Sequence, residues 1–275
     1  MLRRLGALSL ALALAACAAE PQNTAPVYDG PVEYQAREDG SRIVPAINTK
    51  YLNERNARRW VDYNGPERVG TIVVDPYARV LYHVYEPGRA MRFGIAVGKA
   101  GLGFAGNGVI QRKVEYPGWT PTANMIRREP DVYGPLAGGL KGGLDNPLGA
   151  RALYLYRNGK DTMYRIHGTM DPSSIGKATS AGCIRLFNQD VIDAFDEVPL
   201  GTFVKVRTKA ESEKLEGKFT QLSTGYLVPE GSFELIEADR LAAEAEGAAA
   251  AAAAEEAEQH RADIAAAREA ALTGQ

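Results

Sequence analysis

The sequence predicts a mostly β domain in its middle. Three observations carry that reading. Short β-branched runs alternate with tight turns between residues 71 and 97; an Asn-Gly pair separates two further β-like runs near residue 158; and only one convincing helix lies between residues 68 and 208. Thr71-Ile72-Val73-Val74 is the first run, and Asp75-Pro76-Tyr77-Ala78-Arg79 supplies a turn. Val80 to Tyr85 is the second, Glu86-Pro87-Gly88-Arg89 turns again, and Ala90 to Val97 is the third. Strands joined this tightly form an antiparallel meander. Ala152 to Tyr156 and Thr162 to Ile166 flank Arg157-Asn158-Gly159-Lys160, where both central residues tolerate positive φ, as a two-residue hairpin requires. Asn188 is placed to cap a helix in which Val191, Ala194, Phe195 and Val198 recur at helical spacing, and Pro199 and Gly201 stop it. Thr202 to Arg207 returns as a strand.

The chain has 275 residues, enough for one or two domains with a buried core. Its apolar fraction of 45% and charged fraction of 24% are those of an ordinary globular protein. A net charge of −2 gives no basic excess for nucleic acid. Two cysteines and three histidines, far apart, argue against a disulfide scaffold and against a structural zinc site.

The long stretch from Arg112 to Gly149 is dense in glycine, proline and aromatics, including Tyr116-Pro117-Gly118-Trp119-Thr120-Pro121 and Gly138-Gly139-Leu140-Lys141-Gly142-Gly143. Long irregular segments inside a domain usually serve function, so it reads as a cap over a cleft. Trp119 by itself is expected to pack into the core.

Both ends differ from the middle. Arg3 and Arg4 precede Leu5 to Ala15, an apolar or small run too short for the ~20 residues that span a bilayer and suited to a secretory signal. The run ends in Leu14-Ala15-Ala16-Cys17, which resembles the lipobox of bacterial lipoproteins. That resemblance implies cleavage before Cys17 and lipidation of its thiol and amine, several acyl chains holding where one would not. The alternative is a plain signal peptide. Ala18 rather than Asp after the cysteine implies, by the same resemblance, the outer membrane of a Gram-negative bacterium. Residues 18–45 read as a tether. From Ala238 to Gln275 the chain is mostly Ala and Glu and reads as a solvated helix interrupted near Gly247. The division expected is 1–16 signal peptide, 17–67 tether and N-terminal extension, 68–208 mostly β domain, 209–237 C-terminal extension and 238–275 helical tail.

With Cys17 lipidated, Cys183 is the sole free thiol, an oxidation hazard in an exported protein that a buried Ala or Val would avoid. Within Ser180-Ala181-Gly182-Cys183-Ile184-Arg185, Gly182 allows close backbone approach and frees N–H groups for an oxyanion. Arg185 is placed to lower the thiol pKa. A thiol needs a base. His167, at the end of a strand and before Gly168, is the candidate; His83 inside a strand and His260 in the alanine tail are expected bystanders.

Arg165-Ile166-His167-Gly168-Thr169, Ser173-Ser174-Ile175-Gly176 and Ser180-Ala181-Gly182-Cys183-Ile184-Arg185-Leu186 together are similar to the signature of the YkuD-type L,D-transpeptidase catalytic domain. The similarity continues through Asn188-Gln189-Asp190-Val191 and Gly201-Thr202-Phe203-Val204. Upstream it runs through Gly70-Thr71-Ile72-Val73-Val74, Trp119-Thr120-Pro121 and Asn146-Pro147-Leu148-Gly149-Ala150. Many family members carry histidine where this chain has Ala181; the base in the family matches the earlier His167. The resemblance implies a β-sandwich or barrel with one short helix after the nucleophile, and a peptidoglycan enzyme of cell-wall organisation in the periplasm. It implies Cys183 as nucleophile, His167 as general base and acid, and the Gly168 carbonyl as the group that orients the imidazole. Ser180, Gly182 and Arg185 would contact substrate or oxyanion. The donor would be a tetrapeptide stem, and no metal or organic cofactor would be needed. The acceptor would be another stem (a 3→3 cross-link), a D-amino acid, an outer-membrane protein, or water, the last giving a carboxypeptidase. A non-catalytic lipoprotein that tethers the wall to the membrane is the remaining alternative.

Overall fold

The computed structural model describes residues 29–98, 106–180 and 182–273. The signal-like stretch, Cys17 and Ala181 lie outside the described residues. In chain order the strands are β1 (Arg37–Asp39), β2 (Arg42–Val44), β3 (Arg59–Asp62), β4 (Ile72–Asp75), β5 (Val80–Glu86), β6 (Arg89–Gly94), β7 (Val97–Gly98) and β8 (Gly106–Glu115). They continue with β9 (Arg151–Arg157), β10 (Lys160–His167), β11 (Ala178–Ser180), β12 (Ile184–Arg185), β13 (Phe203–Val206), β14 (Phe219–Gln221) and β15 (Leu227–Pro229). The helices are α1 (Ala123–Arg128), α2 (Pro130–Tyr133), α3 (Asn188–Glu197), α4 (Lys209–Glu216) and α5 (Phe233–Thr273).

Nine strands share one mixed sheet in the order β12-β10-β9-β8-β13-β4-β5-β6-β3. The expected meander is β4-β5-β6, antiparallel throughout. Asn158 and Gly159 take φ of 51° and 72° and close the β9–β10 hairpin with Arg157 opposite Lys160. The sheet curls. Phe93 of β6 and Ile184 of β12 lie in one core cluster, although seven strand steps of ~4.8 Å would hold them ~34 Å apart in a flat sheet. Just beyond β6, Ala96 exchanges two backbone hydrogen bonds of 2.9 Å with Arg185, which brings the two ends of the sheet together. The fold is therefore the mostly β, barrel-like one expected. Ile72, Val74, Leu81, Ile110, Leu153, Leu155 and Val204 fill its interior, with Val191 of α3 packed on them.

The flanking segments are part of this body. β4 is buried on both faces, because Val73, Val80 and Tyr82 form a second cluster on the outside with Phe219 against it. There Arg207, fully buried, pairs with Glu216 at 2.7 Å and with Asp75 at 3.3 Å. Residues 29–45 are not the free tether expected. Tyr34 and Val44 are fully buried, Tyr34 donates to Asp190 at 3.1 Å, and Arg151 grips Asp39 through two bonds of 2.8 Å. β3, from the same extension, forms the sheet edge. At the other end α5 runs unbroken from Phe233 to Thr273, through Gly247, so the expected interruption is absent. Glu246 before and alanine after a single glycine are strong helix formers and keep the helix favourable there. At ~1.5 Å per residue it is ~60 Å long, and its side chains up to 265 are mostly exposed. No described helix is long and apolar enough to cross a membrane.

Candidate active site

His167 ends β10 and Cys183 immediately precedes β12. These two strands are parallel neighbours, with Ile166 opposite Ile184 and His167 opposite Arg185. Ile166 and Ile184 point into the core. By strand alternation His167, Arg185 and Cys183 share the opposite face. Continuing the register sets Cys183 beside Arg165, two residues from His167, so the Cα atoms of the pair are roughly 8 Å apart. The sulfur lies against β10, 3.9 Å from the Met163 carbonyl.

His167 is 3% exposed, and its Nδ1 lies 2.6 Å from the Gly168 carbonyl oxygen. A carbonyl only accepts, so Nδ1 carries the proton and Nε2 keeps its lone pair. Burial, with the Arg185 charge next, depresses the imidazole pKa to about 3. The thiol of Cys183 is partly buried and its pKa is raised by that burial, although Arg165 and Arg185 both pull it down. The expected lowering by Arg185 is thus present but outweighed. Thiol and imidazole are both neutral at rest, which is the starting state for general-base rather than preformed ion-pair chemistry.

Gly182 has φ of +139°, a conformation side chains rarely adopt; a Cβ there would have 3.9 Å of clearance, so the need for glycine is conformational. Arg185 is mostly buried, its Nε has no hydrogen-bond partner, and burial lowers its pKa against the charge of Asp171 and the nearby Tyr133. Ser180 ends β11, paired with Gly98 of β7. Among the described residues no group of three or more His, Cys, Asp or Glu side chains could hold a metal ion. His83 is buried in β5 and His260 is exposed on α5, each apart from the β10–β12 pair.

Three features of the site escaped the sequence. Asn188, expected as a helix cap, is the first residue of α3 and makes no cap bond. Its Oδ1 accepts from Ala150 N at 3.0 Å and Thr169 N at 3.2 Å, and its Nδ2 donates to Thr169 O at 2.8 Å. It thereby fixes the turn that aims the Gly168 carbonyl. A Cβ at Gly168 or Gly149 would fall 2.1 or 2.3 Å from Asn188 Oδ1, so both must be glycine. Next, β10 carries a bulge between Asp161 and Arg165, with Met163 at φ 64°. Arg165 holds Asp161 by bonds of 2.6 and 2.8 Å, which sets the backbone that meets the sulfur. Last, Asn146 donates to Pro117 O at 2.7 Å and Lys141 O at 3.0 Å and accepts from Leu148 N, tying the glycine-rich segment to the site. In that segment Trp119 is half-buried against Tyr133, with ring centroids 6.2 Å apart, rather than in the core as expected. Its neighbours are prolines and glycines, which present the ring to another loop and not to the sheet.

A sequence profile of the L,D-transpeptidase catalytic domain, YkuD, matches residues 70–206. The chain belongs to that family. A probable L,D-transpeptidase ErfK/SrfK of Escherichia coli (strain K12) is 38% identical over 141 residues, 50% of this chain and 44% of that protein. A probable L,D-transpeptidase YbiS of the same strain is 31% identical over 170 residues, 60% of this chain and 54% of that protein. The chain thus spans about half the length of the curated relatives it matches. A solved structure from Brucella melitensis, described as a probable carnitine operon oxidoreductase, is 47% identical, covering 56% of this chain and 96% of that one with a TM-score of 0.40.

Proposed function

We propose that this chain is a peptidoglycan L,D-transpeptidase that works through a Cys183 thioester. The observation that carries the reading is the parallel pairing of β10, which ends in His167, with β12, which Cys183 immediately precedes, together with the Gly168 carbonyl on Nδ1, which leaves the lone pair on Nε2. In the first half-reaction Cys183 Sγ attacks the carbonyl between the diamino acid and the terminal D-Ala of a tetrapeptide stem. Its proton passes to His167 Nε2, the C–N bond breaks, and the imidazolium returns the proton to the leaving D-Ala amine. N–H groups around Gly182 and Cys183 hold the oxyanion, a contribution of ~3 kcal/mol for a good donor. In the second half an amine attacks the thioester, gives up a proton through His167, and releases the thiol. Stem, D-amino acid and protein amines all satisfy this balance, and water gives the carboxypeptidase. Arg185, a buried cation one pair from the base, would meet a substrate carboxylate. The apolar run ending at Cys17 supports export and lipid anchoring at the periplasmic face of the outer membrane. Residues 68–208 would be the catalytic unit.

Incubation with defined disaccharide tetrapeptides, read by product mass, tests the reading. Loss of D-Ala with a new cross-link or an exchanged D-amino acid is expected. No D-Ala release by the wild-type chain would refute it.

A further inference from the structure

A second concave site lies outside the β10–β12 pair. The N-terminal extension, the β4–β5 turn, the loop between His167 and Cys183, and the β14–β15 hairpin enclose a cleft of about 270 Å³. Arg55, Arg79, Gly176, Tyr226 and Leu227 line it, with Glu54 at the edge. Arg55 and Arg79 have only neutral hydrogen-bond partners among the described residues; the Glu216 and Asp75 charges act on Arg55 without a hydrogen bond, and no acidic group offsets Arg79. Arg55 donates to Ala78 O at 2.7 Å and stacks on Phe219. Arg79 donates to Gly176 O at 2.9 Å and also to Gly225 O and Gln221 Oε1. Glu54, the one carboxylate of the lining, is engaged by Arg59. Lys177 adds a third cation at the rim, 4.6 Å over the Tyr226 ring.

Burying cations without counter-charge is costly. Here burial, aggravated by Arg55 alongside, lowers the Arg79 pKa to about 10. Arg79 also sits at φ 56°, where Gly or Asn would cost less. Its neutral bonds leave donors on each guanidinium unused, since arginine offers five. Gly176 precedes Cys183 by seven residues, so the cleft wall and the sulfur are at most ~25 Å apart, within the span of a wall peptide with its sugars.

We propose that this cleft is a second binding site, for a free carboxylate on a peptidoglycan stem peptide, held between Arg55 and Arg79. It rests on the peptidoglycan reading above. Asn53–Asn56 and Tyr226–Val228 lie outside the family match at 70–206, so the chain's extensions close a cleft whose other wall, Ala78, Arg79 and Gly176, lies inside that match. It would hold a second stem while the first occupies Cys183.

The test uses the full chain carrying Cys183→Ser, isotopically labelled, titrated with a stem tetrapeptide bearing a free carboxylate on its diamino acid, and with its amidated twin. Backbone amides of Gly176 and Gly225 report the cleft, and those of Gly168 and Gly182 report the thiol site. Saturable shifts at Gly176 and Gly225 are expected. They should be weakened about tenfold by amidation, by Arg55→Gln, or by Leu227→Glu, which places a carboxylate in the cleft without removing a clamp. Shifts confined to Gly168 and Gly182 would overturn the proposal while leaving the thiol reading standing. Equal binding of the amidated peptide would overturn it too, as would indifference to both variants or stronger competition by inorganic phosphate. Shifts confined to the cleft, with no acylation of Cys183 in the wild type, would uphold the site and refute the catalytic reading.

Discussion

His167 at the end of β10 and His83 in the middle of β5 are buried to nearly the same degree, 3% and 6% exposed. Burial lowers the pKa of both, to about 3 and about 4. Their neighbours differ. His167 has its Nδ1 held by a carbonyl, and Cys183 stands one residue before the strand paired alongside it. His83 has its Nδ1 buried without a partner and stacks on Tyr85 with ring centroids 4.2 Å apart, flanked by Ile72 and Met91. Burial and a shifted pKa therefore do not distinguish a base from a packed ring. A fixed tautomer and an adjacent nucleophile do.

The largest expected effect comes from removing His167, the proposed base. His167→Gln should slow acylation of Cys183 by a carbapenem or a stem peptide ~10²–10⁴-fold, the usual worth of a general base. His83→Leu should leave that rate within about threefold, because it removes a ring without a nucleophile beside it. Stopped-flow or intact-mass kinetics would separate the two, and equal losses would erase the distinction.

The next effect falls on the turn that aims the imidazole. Asn188→Ala leaves two backbone N–H groups and one carbonyl buried without partners, at ~3 kcal/mol of stability. Beyond that loss, acylation should slow about tenfold at a temperature where the variant remains folded. A variant that is less stable by thermal unfolding but acylates at the wild-type rate would make Asn188 purely structural.

A smaller effect appears in acid. Both histidines have folded pKa values below the unfolded ~6.5, so between about pH 6.5 and pH 3–4 the unfolded chain binds more protons. Their contribution is complete above pH 6.5 and is lost as pH falls through that window. His83→Leu should remove its share, a few kcal/mol, and flatten the pH dependence of Tm between 6.5 and 4. An unchanged slope would show that the His83 ring is not held neutral. The smallest effect is at the far end: truncation before α5 should move Tm by no more than about 2 °C, since the helix buries little.

The legible parts of this molecule were those set by local chemistry. The Asn158-Gly159 hairpin, the β4-β5-β6 meander and α3 follow from turn residues and periodicity. Cys183 stood out because a chain that reads as exported has reason to avoid a free cysteine, whereas His167 was picked out by the resemblance of the segments around it to the family signature and not by its spacing from the thiol. Long-range polar bonds left no such mark. Asn188 has the residue type of a cap and serves instead as a clamp across 38 residues to Ala150. Tyr34, in a stretch of Pro and charge, is buried only because Asp190 and Phe187 await it. β8 shows buried Gly108 and Ile110 alternating with exposed and half-buried residues, a pattern its two glycines and charges hide in the sequence. The Met163 bulge depends on Asp161 meeting Arg165, which no local propensity announces.

Intact-mass analysis of the full chain after brief exposure to a carbapenem tests the central claim most directly. One adduct of the whole inhibitor is expected, mapping to Cys183, on the wild type and on His83→Leu, with none on Cys183→Ala and almost none on His167→Gln. Adduct formation on His167→Gln at the wild-type rate would contradict the assignment of that imidazole as the base.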